Sequence, residues 1–366
     1  MSERFAGNFE INDSFEEHWR SFSLAVIWSY VHRIETHRFF VSVIWQSLFP
    51  MALDTKIEGM PATMPELEPK KSPLGDRNSV LKLVKRWKDF MLSEDTQIRF
   101  DKNVDPTKRD MQIRFKETYL EIDNDFMKEM GINVTLHKRM TVHGFIPFVV
   151  AFHKDDTEIM SELTGFMDGM VSDKITGGFA PEVSVISMET KADIDISELT
   201  VDKSKPLIVL SSSISCPLLK VCMFSGALSH LLKKYKSKAE FLLVYTSEAH
   251  PSDGWKLGHK FSCLKQHQNV DDRIKAARLM IDQDAKHFKC LTSDPFNTEK
   301  VRVVLDNMNN TFTSSFCSGP IRAFALEDGQ LVWMGPNIVH LMSNPQDLMT
   351  DKIEAWLRGR FDEEDN

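Results

Sequence analysis

A single cysteine stands between a serine cluster and a proline in residues 209–224, V-L-S-S-S-I-S-C-P-L-L-K-V-C-M-F. The apolar run before it reads as a buried strand and helical spacing resumes after it, so Cys216 falls where a strand ends and a helix begins. Pro217 suits the first helical position, where a missing N–H leaves no bond unmade. Unpaired N–H groups and the helix dipole at such a terminus favour the thiolate, the form in which cysteine is a nucleophile. Ser213 and Ser215 add hydroxyls able to hold that thiolate or an attacked atom. A buried structural cysteine is the competing reading. Cys222, six residues on and facing the apolar side of the helix, reads as core.

A second stretch, V-Y-T-S-E-A-H-P-S-D-G-W at 244–255, follows the next apolar run. If both runs are parallel strands, this loop leaves the same carboxyl edge of the sheet as Cys216, which is where sites form in α/β folds. It carries Tyr245, Glu248 and His250, and K-Q-H brings His267 downstream. A histidine beside a carboxylate can be oriented and tuned for proton transfer near neutral pH. One loop histidine is usually just solvated; two of them flanking a candidate thiolate, with a carboxylate, point to chemistry.

The elements that must position these groups are legible from Gly177 on. Leu207–Leu210, Phe241–Tyr245 and Val301–Leu305 read as buried strands. Leu218–Tyr235 reads as one helix with Leu218, Val221, Cys222, Leu228, Leu231, Leu232 and Tyr235 on its apolar face. Asn269 is placed to cap a helix from Val270, with Asp272 three residues on as in a capping box. Ile321–Leu326 and Leu331–Met334 form a hairpin across E-D-G-Q, and 346–360 closes the domain as a helix. This order predicts an α/β, thioredoxin-like C-terminal domain, a mixed sheet flanked by helices; Pro320 before the hairpin reads equally as a cis Gly319-Pro320 bond lying against Cys216 or as a trans proline starting an edge strand.

Upstream the chain reads differently. Residues 1–60 are an apolar, mostly helical segment and 61–76, with four prolines, an extended linker. Residues 77–176 read as an α+β region: a helix over Val80–Met91, a strand over Met111–Ile122 and a helix over His153–Val171. Residues 362–366 form an acidic tail. The apolar stretches within 22–53 are interrupted by V-H-R-I-E-T-H-R, and neither reaches the ~20 residues of a spanning helix. Two packed helices are expected there, with membrane-surface association the minor alternative. The acidic, mixed N-terminus lacks the pattern of a secretory signal.

Composition excludes other classes. A formal charge of −8 over 366 residues argues against a nucleic-acid partner. Five cysteines are too few and too odd in number for a disulfide scaffold, so an intracellular reducing compartment is expected. No common zinc signature occurs, and no metal or tightly bound cofactor is expected.

E-A-H-P-S-D-G-W at 248–255, K-Q-H-Q-N-V-D-D-R-I-K-A-A-R at 265–278 and S-x-S-C-P at 213–217 together resemble the iodothyronine deiodinases. G-G-F-A-P-E-V-S-V-I at 177–186 and the closing helix with Trp356-Leu357 fit the same family, so the resemblance runs over 177–361. It implies a thioredoxin-like fold, a homodimer, and thiol-dependent removal of iodine from iodothyronines or other iodinated phenols. Cys216 falls on the position where the family usually carries selenocysteine, and Ser213, Ser215, Tyr245, Glu248, His250 and His267 fall on its helper residues. The resemblance implies that Cys216 attacks iodine end-on, that a protonated histidine, most simply His267, supplies a proton to the ring carbon, and that His250, Glu248 and Arg322 hold substrate. Cys290 lies where relatives place a regenerating thiol, and a thiol reductant is the implied cosubstrate. The chain departs from the family at Gly319-Pro320-Ile321, which lacks a tyrosine and a glutamate, and at Gly335-Pro336-Asn337, which lacks a cation. A thioredoxin-like thiol peroxidase or reductase and an inactive hormone-binding relative are the alternative functions.

Overall fold

The computed structural model of the chain describes residues 76–132, 156–167, 178–338 and 344–362, together with positions 145, 149, 153 and 341. The N-terminal apolar segment, the proline-rich stretch before residue 76 and the acidic tail beyond residue 362 lie outside the described residues. Among those described, no helix is long and apolar enough to cross a membrane.

The regular elements described in the upstream part are helices: α1 (Arg77–Leu92), α2 (Glu94–Asn103), α3 (Met111–Glu129) and α4 (Thr157–Met167). The strand expected at Met111–Ile122 is therefore corrected to helix. Met111, Phe115, Thr118, Ile122 and Phe126 are all buried. Their spacing of three and four residues defines one helix face, and it prevails over the apolar–polar alternation that suggested a strand.

The described residues up to Trp87 and from Asp123 to Leu163 form one compact unit; Lys88–Ile122 and those from Thr164 onward form another. In the first, Asp123 is buried and accepts from Trp87 Nε1 at 2.9 Å and from the Phe145 N–H at 2.7 Å.

The second unit is built on β1 (Gly178–Phe179), β2 (Ser184–Ile186), β3 (Asp193–Asp195), β4 (Leu207–Ser212), β5 (Glu240–Tyr245), β6 (Leu291–Thr292), β7 (Val301–Leu305), β8 (Arg322–Glu327) and β9 (Gln330–Met334). They make one mixed sheet in the order β1-β9-β8-β4-β5-β7-β2-β3, with β6 also on β7. Strands β4, β5 and β7 run parallel, while β8 lies antiparallel beside β4 and β9 antiparallel beside β8. Both faces of β4 and β5 are buried, which is why these runs carry no alternation. The core packs Val209, Leu242, Val244, Val304 and Phe324 against Phe312 and Phe316. The hairpin turns through Asp328 and Gly329, both at positive φ (47° and 73°), as a tight two-residue turn requires. This is the thioredoxin-like arrangement, and Gly319-Pro320 is cis within it.

Around the sheet lie α5 (Pro217–Phe224), α6 (Ala227–Tyr235), α7 (Val270–Ala285), α8 (Thr311–Phe316) and α9 (Met349–Asp362). The single helix expected at Leu218–Tyr235 is two, because Gly226 takes a left-handed φ of 82° that ends one and starts the next. Asn269 caps α7 as expected, accepting from the Asp272 N–H at 3.0 Å. The Asp272 carboxylate reaches back to the Gln268 N–H at 3.3 Å, one residue earlier than in the usual capping box.

Helix α2 belongs to the same compact unit and braces the loop after β5. Gln97 Oε1 accepts from the Gly258 N–H at 2.7 Å, and the Asp101 carboxylate accepts from the N–H groups of His259 and Lys260 at 3.0 Å each. Gly258 sits at φ 74°, and a Cβ there would lie 2.8 Å from Asp101 Oδ1 and 3.0 Å from Phe100 Cβ. Gly258→Ala should therefore destabilise the chain by about 1–3 kcal/mol, read from the midpoint of urea unfolding. An unchanged midpoint would show that this brace carries no strain-sensitive contact.

Candidate active site

Three parallel strands end side by side, with Ser212 of β4 paired to Tyr245 of β5 and Tyr245 to Leu305 of β7. The chain after each end supplies the candidate groups. Cys216 is the N-cap of α5 with Pro217 at the first turn, as the sequence predicts. It is also buried, 1% exposed. Burial pushes its thiol above the ordinary value; the Ser212 hydroxyl and the Leu219 and Leu218 N–H groups pull the other way, and the negative charge of Glu248 adds to the rise. The resting thiol is thus harder to ionise than its helix-terminal position alone suggests, because loss of water outweighs the dipole.

Glu248 is the hub of the site. Its Oε1 accepts from the Tyr245 hydroxyl and stands 3.1 Å from His267 Nε2, while its Oε2 accepts from the Ser215 N–H at 3.1 Å. Burial works to raise this carboxyl, but the hydrogen bonds from His267, Ser215 and Tyr245 prevail and hold it below the usual carboxylate range. Tyr245 is pushed well above its ordinary value by burial and by the Glu248 charge, so its hydroxyl stays a donor. Its oxygen also takes the Ile214 N–H at 3.3 Å, tying β5 to the Cys216 loop.

Ser213 and Ser215 also tie the two site loops together. Their hydroxyls accept from the Ala249 and His250 N–H groups at 3.0 Å each, fastening the second loop to the first. The hydroxyl beside the thiol is that of Ser212, whose single proton is within reach of the Pro320 carbonyl at 2.9 Å. Ser212 was not singled out from the sequence, where Ser213 and Ser215 were the candidates.

His250 is buried, with Nδ1 3.2 Å from the Trp255 carbonyl and its ring edge-on to Trp255 at 4.8 Å. Burial drives it down to about 3, so the ring is neutral, with its proton directed at the carbonyl. Gln266 was not singled out from the sequence. Its side-chain amide accepts from the Glu248 N–H at 3.0 Å and donates to the Glu248 carbonyl at 3.1 Å, setting that residue's backbone. Arg273 was also missed; its Nε lies 3.3 Å from His267 Nδ1. Both fall inside the K-Q-H-Q-N-V-D-D-R run, but nothing in their spacing distinguishes a clamp from a solvated side chain.

Two further expected participants have other contacts. Arg322 pairs with Ser211 beside the site, yet its buried guanidinium donates to the carbonyls of Gly335 at 3.1 Å and Cys317 at 3.3 Å, acting as a tie between backbone segments. Cys290 precedes β6, whose Leu291 pairs with Val301 at the start of β7, whereas the site lies beyond Leu305 at its end. Four residues of strand, about 13 Å, separate those ends. Cys290 Sγ donates to Asp284 at 3.2 Å, and burial pushes its thiol strongly up. Cys222 lies in the core, as expected, with its thiol raised to about 11 by burial. Among the described residues, no group of three His, Cys, Asp or Glu side chains could hold a metal ion.

The His250 environment fixes a pH dependence of stability. Its folded value of about 3 lies below the ordinary 6.5, so the unfolded chain takes up the proton first as pH falls. Its contribution is fully present above pH 6.5 and is lost as pH falls toward 3, at about 1.4 kcal/mol per pH unit. His250→Asn, which keeps a donor for Trp255, should flatten unfolding free energy against pH in that window. Equal slopes for the variant and the wild type would contradict the burial of a neutral ring.

The iodothyronine deiodinase family model matches residues 158–358, more than half of the 366-residue chain. Similar proteins include thyroxine 5-deiodinases from Bos taurus, 27% identical over 44% of this chain and 46% of the relative, and from Homo sapiens, 26% identical over 51% and 54%. The chain thus spans about half the length of the curated relatives it matches. Among solved structures it is similar to a thiol:disulfide interchange protein from Bacteroides sp., at 14% identity over 47% of this chain and 88% of that one, with a TM-score of 0.29. By its sequence motifs and by the family match over its sheet and site loops, the chain belongs to the iodothyronine deiodinase family.

Proposed function

We propose that this chain removes iodine reductively from iodothyronines, with Cys216 as nucleophile and a small thiol as reductant. The observation that carries this reading is the placement of Cys216 at a helix N-terminus beside a buried, hydrogen-bonded Tyr245–Glu248–His267 chain. The family membership and the relatives named thyroxine 5-deiodinase supply the substrate class.

In the first step a bond forms between the Cys216 sulfur and iodine as the carbon–iodine bond breaks. The electron pair stays on the ring carbon, which takes a proton. Carbon is reduced and sulfur is oxidised to a sulfenyl iodide. Protons balance, since one leaves the thiol and one arrives at carbon. Glu248 is close enough for its charge to oppose ionisation of Cys216, so a proton taken up by Glu248 makes the thiolate easier to form. One external thiol then displaces iodide to give a mixed disulfide, and a second releases Cys216 as thiol and departs as the disulfide. An external reductant fits the geometry better than Cys290, which lies toward the opposite edge of the sheet.

Iodide release from thyroxine by the purified chain with dithiothreitol tests this reading. Cys216→Ala should abolish release, whereas Cys222→Ala should keep it and cost about 1 kcal/mol of stability from lost packing. Because burial raises the thiol, the wild-type rate should climb about tenfold per pH unit through neutrality, following the thiolate fraction. Release by Cys216→Ala would contradict the mechanism. Absence of release with consumption of hydrogen peroxide would favour a thiol peroxidase.

A further inference from the structure

Arg273, on the first turns of α7, is among the largest fully buried side chains, 1% exposed. Its guanidinium has five N–H donors in a fixed fork, and no accessible deprotonated state. All five have acceptors: His267 Nδ1 at 3.3 Å from Nε, the carbonyls of Asp306 and Asn307 at 2.9 and 2.7 Å from Nη1, and Ser247 Oγ and Asn310 Oδ1 at 3.1 and 3.0 Å from Nη2. Four of these acceptors are uncharged oxygens and the fifth is a ring nitrogen.

We infer that Arg273 is a positioning residue that fixes the single ring proton of His267 on Nε2, so that this histidine remains a donor to Glu248. The reasoning is one of donors and acceptors. Arginine can only donate, so the Nδ1 it reaches must present a lone pair. The other ring nitrogen then carries the proton, and it faces the Glu248 carboxylate at 3.1 Å. A second proton on the ring would break the bond to Arg273 and place two cations in contact inside a buried site, which low dielectric makes costly. The protonated histidine that the family resemblance implies belongs to the moment of proton transfer, not to this resting arrangement. The ring instead holds the hub carboxylate in place, and the carboxylate is left as the group able to accept a proton.

The same fork explains why the device is rigid. The carbonyls it binds follow the end of β7, Ser247 follows β5, and Asn310 precedes α8. Arg273 therefore references the ring to two strand ends at once. Its catalytic consequence rests on the deiodinase reading above; the tautomer assignment does not.

Nitrogen-15 NMR of the His267 ring in the purified, substrate-free chain reads the tautomer directly. The wild type should show a protonated Nε2 and a bare Nδ1. Arg273→Met should lose that signature, giving mixed tautomers or a doubly protonated ring, and lower kcat for iodide release on the order of 10²-fold with KM little changed. Arg273→Lys, which keeps a donor for Nδ1, should restore the Nε2–H signature. A wild-type ring protonated on Nδ1, or an Arg273→Met ring indistinguishable from the wild type, would overturn the assignment. Should Arg273→Met not fold, the wild-type spectrum decides alone. A fixed Nε2–H tautomer in a chain that releases no iodide would uphold Arg273 and remove the deiodinase reading.

Discussion

The site depends on one buried carboxylate. Glu248 is buried, and three donors meet its carboxylate: the Tyr245 hydroxyl from β5, the Ser215 N–H from the loop after β4, and the His267 ring from the segment before α7. A buried carboxylate that lost one of these donors would be costly enough to reorganise its surroundings. The three segments are therefore held in one arrangement, and the remaining contacts follow from it. Gln266 fixes the Glu248 backbone, and Ser213 and Ser215 fasten the neighbouring peptide groups. Arg273 orients the ring from behind.

Against this background the thiol is in tension. A helix N-terminus favours the thiolate, yet burial and the Glu248 charge oppose it. The two influences act at different moments. Burial favours the protonated Cys216, and the Leu218 and Leu219 N–H groups already in place around it stabilise the anion when the proton leaves. Preorganised groups of this kind need not rearrange as charge develops, which is where an active site gains most over water. The neutral His250 is consistent with the same dry environment.

Much of this was legible in the sequence. The strand runs from Leu207 and Phe241, the Asn269 cap, the Asp328-Gly329 turn and the Cys216-Pro217 helix start are local signals, and each appears where local chemistry puts it. What escaped was set by tertiary contacts. Met111–Ile122 alternates like a strand and also repeats like a helix, and only packing chooses between them. Gly226 divides a helix whose apolar face runs on unbroken across the break. Which serine meets the thiol depends on the twist at the end of β4, and Arg273 resembles any helical arginine until its five acceptors are in place. The brace from α2 onto Gly258 joins residues 161 positions apart, from a stretch with no chemical motif of its own.

The central claim is that the buried Glu248 carboxylate organises the chemistry of Cys216, and Glu248→Gln tests it with little change of shape. The measurement is the steady-state rate of iodide release from thyroxine with dithiothreitol, on variant protein whose near-ultraviolet circular dichroism matches the wild type. A glutamine cannot take up the thiol's proton and cannot accept from all three donors. The rate constant is therefore expected to fall by about 10²-fold or more. Release at the wild-type rate from a folded Glu248→Gln chain would contradict the account.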